Sequence, residues 1–272
     1  MKITFLTDNY VDMAKLKAEH GFSCLIEYND TVILFDTGAT DTAVENAKVI
    51  FDKLPKADFA VLSHGHYDHA GGLKYSLDEI AEITNKIYCH EYIFDNHLKE
   101  TENGHIFIGM EVNQSKFNNK FELIQNKNFT EISKNIYLSG TVKRFKNFNA
   151  DLKLIAEING KYIKDPFRDE QYLIIDDDGL VIISGCSHSG IMNIIEHAKS
   201  LLPNKKIKAV IGGFHLFRST DEQMKETINY FKENNVEKII TGHCTGLKGL
   251  FEFNRHFPDR LIPIKVGLNI NL

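Results

Sequence analysis

Residues 62–72 read LSHGHYDHAGG, which puts His64, His66, Asp68 and His69 into one short segment closed by two glycines. A solvated loop that is merely histidine-rich would not abut a run as apolar as the preceding FAVLS. In an extended segment, residues two apart project to the same side, so His64 and His66 can address one point. Asp68 and His69 follow where the chain must reverse, and aim at a second point close by. Gly65 lets the backbone turn between the first two histidines, and Gly71 and Gly72 permit a sharp re-entry into a helix. Neutral imidazole and carboxylate suit zinc, iron or manganese. The expectation is one strand end feeding two metal positions, His64 with His66 and Asp68 with His69.

The sequence on either side supplies alternating strands and helices. KITFLT, SCLIEY, TVILFDTG and KIYCH are β-branched or aromatic runs bounded by turn residues and predict strands. DTAVENAKVIFDKL, with Asp41 as N-cap, and LKYSLDEIAEI carry helical spacing. In the second half, QYLIIDDDGLVIISG predicts a hairpin with DDDG as its turn. Helices IMNIIEHAKSLL, TDEQMKETINYFKEN and LKGLFEFNRHF then alternate with strands KAVIGG and EKIITG. Residues 100–150, rich in Asn, Lys and Phe, hold the strand-like pieces HIFIGM and FELIQ and read as a β-rich insertion or lid. Strands apolar on both sides of the pleat predict helix-covered sheets in one α/β domain over residues 1–272.

Bulk properties exclude several function classes. A net charge of −5 and a pI near 6.2 show no basic excess, so no nucleic-acid surface is expected. No apolar run approaches the roughly 18 residues of a membrane span, and the N-terminus has no signal-peptide pattern. A cytoplasmic protein is expected. The four cysteines are scattered with no CxxC pair, which is not a disulfide framework. Cys24 and Cys89 read as buried thiols, whereas Cys186 and Cys244 stand beside histidines.

HGHYDH matches the H-x-H-x-D-H motif of the metallo-β-lactamase superfamily, and the resemblance runs along most of the chain. LFDTG at 34–38 resembles the family's strand-end aspartate motif, and IITGHC at 239–244 resembles its late histidine. GCSHSG, GGFHL and TGHCTG are more narrowly similar to a subgroup of metal-dependent hydrolases. Some archaeal relatives of that subgroup make a pterin precursor by condensing a ribofuranosyl aminobenzene phosphate. The resemblance implies an αββα sandwich of two mixed β-sheets flanked by helices. At one edge of the sheets it implies one or two divalent ions, zinc first, iron or manganese as alternatives.

The same resemblance implies His243 as a ligand of the second ion. It makes Asp36 the carboxylate that accepts a ligand histidine's spare N–H, unless Asp36 only forms the turn before Gly38. Two departures stand out. Where relatives carry Gly-Asp, Gly185 is followed by Cys186, so either Cys186 supplies a thiolate or His188 reaches in from two residues on. IYLSGTVKRF holds no counterpart of the family's middle histidine, a gap His188 can fill. His215, ending another buried strand, is a substrate contact, a proton donor or a satisfied core histidine, and His20 is a weaker case of the same kind. His90, His97, His105, His197 and His256 read as surface or helix residues.

A metal-bound water, its pKa lowered from about 15.7 toward ~7, would attack an ester, amide or phosphodiester. Asp68 would orient that nucleophile or take its proton. Lys143, Arg144, Arg168, Arg218 and Lys248 stand near the expected site loops and suit phosphate. Phe145, Phe148 and Phe167 could wall a flat ring. A metal-dependent hydrolase of a small phosphorylated or nucleotide-like ester is expected. A transferase of the pterin-precursor type is the alternative, and a non-catalytic metal-binding protein a third reading. A flavodiiron-type redox protein would need a flavin domain for which the chain has no room.

Overall fold

The run Phe59–Val61, which leads into the histidines, lies between Thr31–Phe35 and Lys86–His90 and is parallel to both. The computed structural model describes residues 1–148 and 153–272. These divide into two compact units, one of Met1–Asn126, Lys153–Asp169 and Lys265–Leu272, the other of residues 127–148 and Glu170–Ile264.

The sheet of the first unit has seven strands, in the order Asn269–Asn271, Lys2–Thr7, Ser23–Tyr28, Thr31–Phe35, Phe59–Val61, Lys86–His90, Glu122–Asn126. Pairing is antiparallel up to Thr31–Phe35 and parallel beyond it. One face packs Leu25, Leu34, Ala60 and Ile87 against Ala43, Ala47, Leu73 and Ile80 of the helices Thr42–Phe51, Gly72–Tyr75 and Leu77–Ile83. The alternate residues Ile26, Ile33, Phe35 and Val61 are buried too, which is why these strands are apolar throughout rather than alternating. Asp41 occupies the N-cap position of Thr42–Phe51 but makes no side-chain cap bond. The expected helix LKYSLDEIAEI is interrupted at Ser76, whose φ of −133° and ψ of 41° are not helical.

An antiparallel four-stranded sheet, in the order Lys161–Lys164, Leu154–Ile158, Asn96–Thr101, Gly104–Phe107, belongs to the same unit. The stretch expected to be β-rich, 100–150, thus contributes strands to both sheets of this unit and, with Thr130–Ser133 and Ile136–Leu138, to the sheet of the other, and also holds a helix, Gln114–Lys120. Its last two residues lie outside the described ones.

The second unit repeats the half-and-half plan. Its seven strands run Leu261–Pro263, Lys238–Thr241, Ile207–Gly212, Leu180–Ile183, Leu173–Asp176, Ile136–Leu138, Thr130–Ser133. The first three pairings are parallel and the rest antiparallel. The predicted hairpin is present, with Asp176 opposite Leu180. Ile182, Val210 and Ile239 pack against Ile194, Phe231 and Phe253 of the three helices Ile191–Leu201, Asp221–Glu233 and Gly246–His256. Thr220 and Gln223 form a capping box at the start of the middle helix, each side chain bonded to the other's backbone N–H. No helix among the described residues is long and apolar enough to cross a membrane.

Candidate metal centre

Every candidate donor sits just past the carboxyl end of a parallel strand, where open α/β sheets place their ligands. In the first unit, Asp36 follows Thr31–Phe35 and takes a left-handed turn, φ 55°. A non-glycine residue pays about 1–2 kcal/mol for that conformation, and three hydrogen bonds offset it. Oδ1 accepts the Ser63 N–H at 2.7 Å, and Oδ2 accepts the Ser63 hydroxyl at 2.7 Å and Nδ1–H of His69 at 2.7 Å. The Ser63 oxygen, its proton given to Asp36, accepts Nδ1–H of His64 at 2.9 Å. Both histidines therefore hold the tautomer that leaves the lone pair on Nε2, the atom a metal takes.

His66 stands at the N-cap of the short helix Tyr67–Ala70, and its carbonyl accepts the N–H of His69 and Ala70. The ring centroids of His64 and His66 are 4.6 Å apart, and those of His64 and His69 4.3 Å. Asp68 Oδ2 lies 3.9 Å from His69 Nε2 and 3.3 Å from Nε2 of His20. Burial, and then the neighbouring imidazoles, push His64 and His66 well below the ordinary histidine value, so both are neutral donors. Imidazole nitrogens and a carboxylate, the donors these residues offer, are of the kind a divalent transition ion takes.

The glycines of the motif act by close approach rather than by unusual dihedrals. Gly71 has φ −65° and ψ −29°, which any residue adopts, but a Cβ there would sit 2.2 Å from the Ala39 carbonyl oxygen. At Gly65 it would sit 2.2 Å from that of Ile93. The reading of both as turn-enabling is corrected accordingly.

In the second unit, Leu180–Ile183 leads to Cys186 and His188, Ile207–Gly212 to His215, and Lys238–Thr241 to His243. The ligand atoms of Cys186, His188 and His215 all lie within 4.8 Å of one another. Cys186 Sγ is 3.3 Å from His243 Nε2. Cys186 and His188, the two alternatives for this strand end, both face one cluster. Ser187, His215 and His243 have φ of 61°, 50° and 46°, strained positions of the kind that gather at functional sites. Phe214, packed on Phe231 and Phe253 at 5.6 Å, anchors the residue before His215. Burial opposes ionisation of Cys244, yet contact with Cys186, His243 and His215 outweighs it and holds the thiol well below its usual value.

Several functional-looking groups escaped the sequence. His97 and His90, read as surface or helix residues, are buried in or at the end of strands. His97 stands between two carboxylates, Nδ1 at 2.6 Å from Asp165 and Nε2 at 3.2 Å from Asp169. Burial alone would lower its pKa, but the Asp169 charge and these two bonds raise it well above the ordinary value. The same pair holds Asp169 far below the usual carboxylate range against the effect of burial. Glu170, fully buried, is pushed upward by burial although N–H groups of Ser189 and His188 donate to it. No short motif marks these residues, because Asp165 and Asp169 meet His97 across 68 and 72 residues.

Two of the cations expected to meet substrate are otherwise engaged. Arg168 makes paired bonds to Asp95 at 2.6 and 2.9 Å and covers the Tyr92 ring, and Lys248 bonds Asp221 at 2.7 Å. Phe167 is buried with its ring 6.1 Å from that of His66, whereas Phe145 is exposed.

Residues 16–123 match the sequence profile of the metallo-β-lactamase superfamily. The chain is 35% identical to an uncharacterized protein of Methanocaldococcus jannaschii, over 93% of this chain and 94% of that one. It is 32% identical to the 7,8-dihydropterin-6-methyl-4-(β-D-ribofuranosyl)-aminobenzene-5'-phosphate synthase of the same organism, over 98% of this chain and 95% of the synthase. Among solved structures it is similar to Tm1679, described as a metal-dependent hydrolase of the β-lactamase superfamily. The TM-score is 0.85 at 32% identity, covering 100% of this chain and 99% of that one. With these relatives, its mixed sheets flanked by helices and its H-x-H-x-D-H segment, the chain belongs to the metallo-β-lactamase superfamily.

Proposed function

We propose that the protein is a metal-dependent hydrolase of small phosphorylated or nucleotide-like esters. Its ligands would be His64, His66, Asp68 and His69 in the first unit and His188 and His243, with Cys186 beside them, in the second. The observation that carries this reading is the pair Asp36–Ser63, which presents Nε2 of His64 and His69 as lone-pair donors beside neutral His66. A divalent ion, when bound, supplies Lewis acidity that polarises the scissile group and acidifies water. Asp68 Oδ2 receives the proton of the attacking water, and His20 Nε2, 3.3 Å away on a half-exposed ring, connects it to solvent. The phosphate preference rests on the cationic side chains Lys143, Arg144 and Arg218 of the expected site loops. Zinc is the first choice of ion, iron or manganese the others.

A second reading, a synthase joining a phosphate-bearing aromatic riboside to a pterin precursor, is supported by the 32% identity to the M. jannaschii synthase across nearly its full length. The deciding experiment is metal analysis followed by a panel of phosphodiesters, nucleotides and lactones, with and without chelator, beside the synthase's condensation. Chelator-sensitive hydrolysis of a phosphodiester supports the first reading. Condensation with no hydrolysis supports the second, and protein that takes up no transition metal ends both.

A further inference from the structure

Asp169 and Glu170 are consecutive carboxylates, both buried, in a segment outside any helix or strand. Burying a carboxylate is costly unless it is hydrogen-bonded. Asp169 gives Oδ2, and Glu170 both oxygens, to the backbone of a histidine-bearing loop of its own unit, while Oδ1 of Asp169 is buried without a hydrogen-bond partner. Asp169 Oδ2 accepts the N–H of Gly65, the residue between His64 and His66, at 2.7 Å. The same oxygen receives His97 Nε2 at 3.2 Å, and His97 Nδ1 reaches Asp165. A carboxylate thus stands at each nitrogen of the His97 ring. Its ring meets His66 edge to face, with centroids 4.9 Å apart and planes at 88°. Gly65 is thus gripped twice, its N–H by Asp169 and its Cα by the Ile93 carbonyl, which leaves no room for a Cβ.

Glu170 treats the other loop in the same way. Oε1 accepts the N–H of His188, and Oε2 accepts that of Ser189 at 2.7 Å. The two N–H groups follow left-handed Ser187 and form the kind of concave pair that binds anions. Here the Glu170 carboxyl of the protein itself fills that place.

We propose that Asp169 and Glu170 are positioning residues of the metal centre, which set the backbone of the His64–His66 loop and the His188 loop from adjacent places in the chain. This rests on the metal-binding reading above, in which those histidines are ligands. Each carboxylate acts by fixing where a ligand's Cα stands, so its loss costs ion affinity and site geometry rather than fold.

The test combines amide exchange on the metal-free protein with cobalt(II) titration of the wild type and three variants. In the wild type, the Gly65, His188 and Ser189 amides, although in loops, should exchange as slowly as those of the adjoining strands. Exchange at unprotected rates overturns the clamp without any variant. In Glu170→Gln one N–H loses its acceptor and faces an NH2, and in Asp169→Ala Gly65 loses its acceptor. Both should bind cobalt roughly 10–100-fold more weakly, with shifted d–d bands at saturation and unchanged circular dichroism. Asp169→Asn keeps an acceptor for Gly65 and should recover most of the affinity and the spectrum, a rescue that a purely structural role does not predict. Wild-type affinity and spectrum in all variants would remove the clamp and leave the metal centre standing. A wild type that takes up no cobalt removes the metal centre instead, while the exchange result still reports on the loops.

Discussion

The two units carry the same kind of sheet but assemble their donors in opposite ways. In the first unit one strand end delivers His64, His66, Asp68 and His69 within six residues, and a single carboxylate, Asp36, orients two of the three imidazoles through Ser63 and directly. In the second unit the donors come from three strand ends, Cys186 with His188, His215 and His243, and three left-handed residues turn them inward. The first set is all nitrogen and oxygen, whereas the second contains sulfur. A contiguous donor set is specified by local sequence, and a dispersed one needs the parallel strands to be in register before it exists.

The largest effect that would break this contrast lies in the contiguous set. Asp68→Ala should lower turnover by roughly 100-fold or more with circular dichroism unchanged, and full activity in that variant would remove Asp68 from the mechanism. Next comes close packing at the strand ends. Gly65→Ala places a Cβ 2.2 Å from the Ile93 carbonyl oxygen, and Gly212→Ala places one 2.0 Å from that of Ser184 with φ at 122°. Each should destabilise its unit by about 3 kcal/mol in chemical denaturation, and near-neutral variants would mean that the loops yield to an added methyl group.

The difference in donor chemistry gives a smaller but sharper signal. Cobalt-loaded protein should show a near-ultraviolet sulfur-to-cobalt band that disappears in Cys186→Ser and survives in His188→Ala. A band that persists in Cys186→Ser would assign the sulfur elsewhere.

The smallest effect concerns His197, buried in the helix Ile191–Leu201 with its ring 5.8 Å from that of Tyr172. Burial, then the charge of Lys143, push its pKa from 6.5 down to about 4. Between those values the unfolded chain binds a proton that the folded chain refuses. The stability contributed by neutral His197 is therefore full above pH 6.5, declines as pH falls toward 4 and is flat below that. Thermal midpoints of His197→Gln should show a shallower decline than wild type across this window. Parallel curves would assign the slope to other groups.

Much of this could be read from residues alone. The histidine segment, the strand-end Asp36 and the runs that became Phe59–Val61, Leu180–Ile183 and Lys238–Thr241 all carry local signals, a motif spacing or an apolar run bounded by turns. The four-stranded sheet was not legible as such. It joins Asn96–Thr101 to Leu154–Ile158, residues far apart in sequence, and Lys161–Lys164 and Gly104–Phe107 are exposed strands without a buried face to pattern them. His97 looked like any polar residue in an Asn- and Lys-rich stretch, because the carboxylates at its two ring nitrogens lie some seventy residues on.

The sequence by itself determined the chemistry at the first strand end, since donors two residues apart on one extended segment need no partner from elsewhere to share a side. Only the tertiary structure decided that Cys186, His188, His215 and His243 share a neighbourhood, and that Asp169 and Glu170 hold loops rather than face solvent. Hydrogen bonds and donor clusters between residues far apart in the chain leave no periodicity behind, and exist only once the strands have paired.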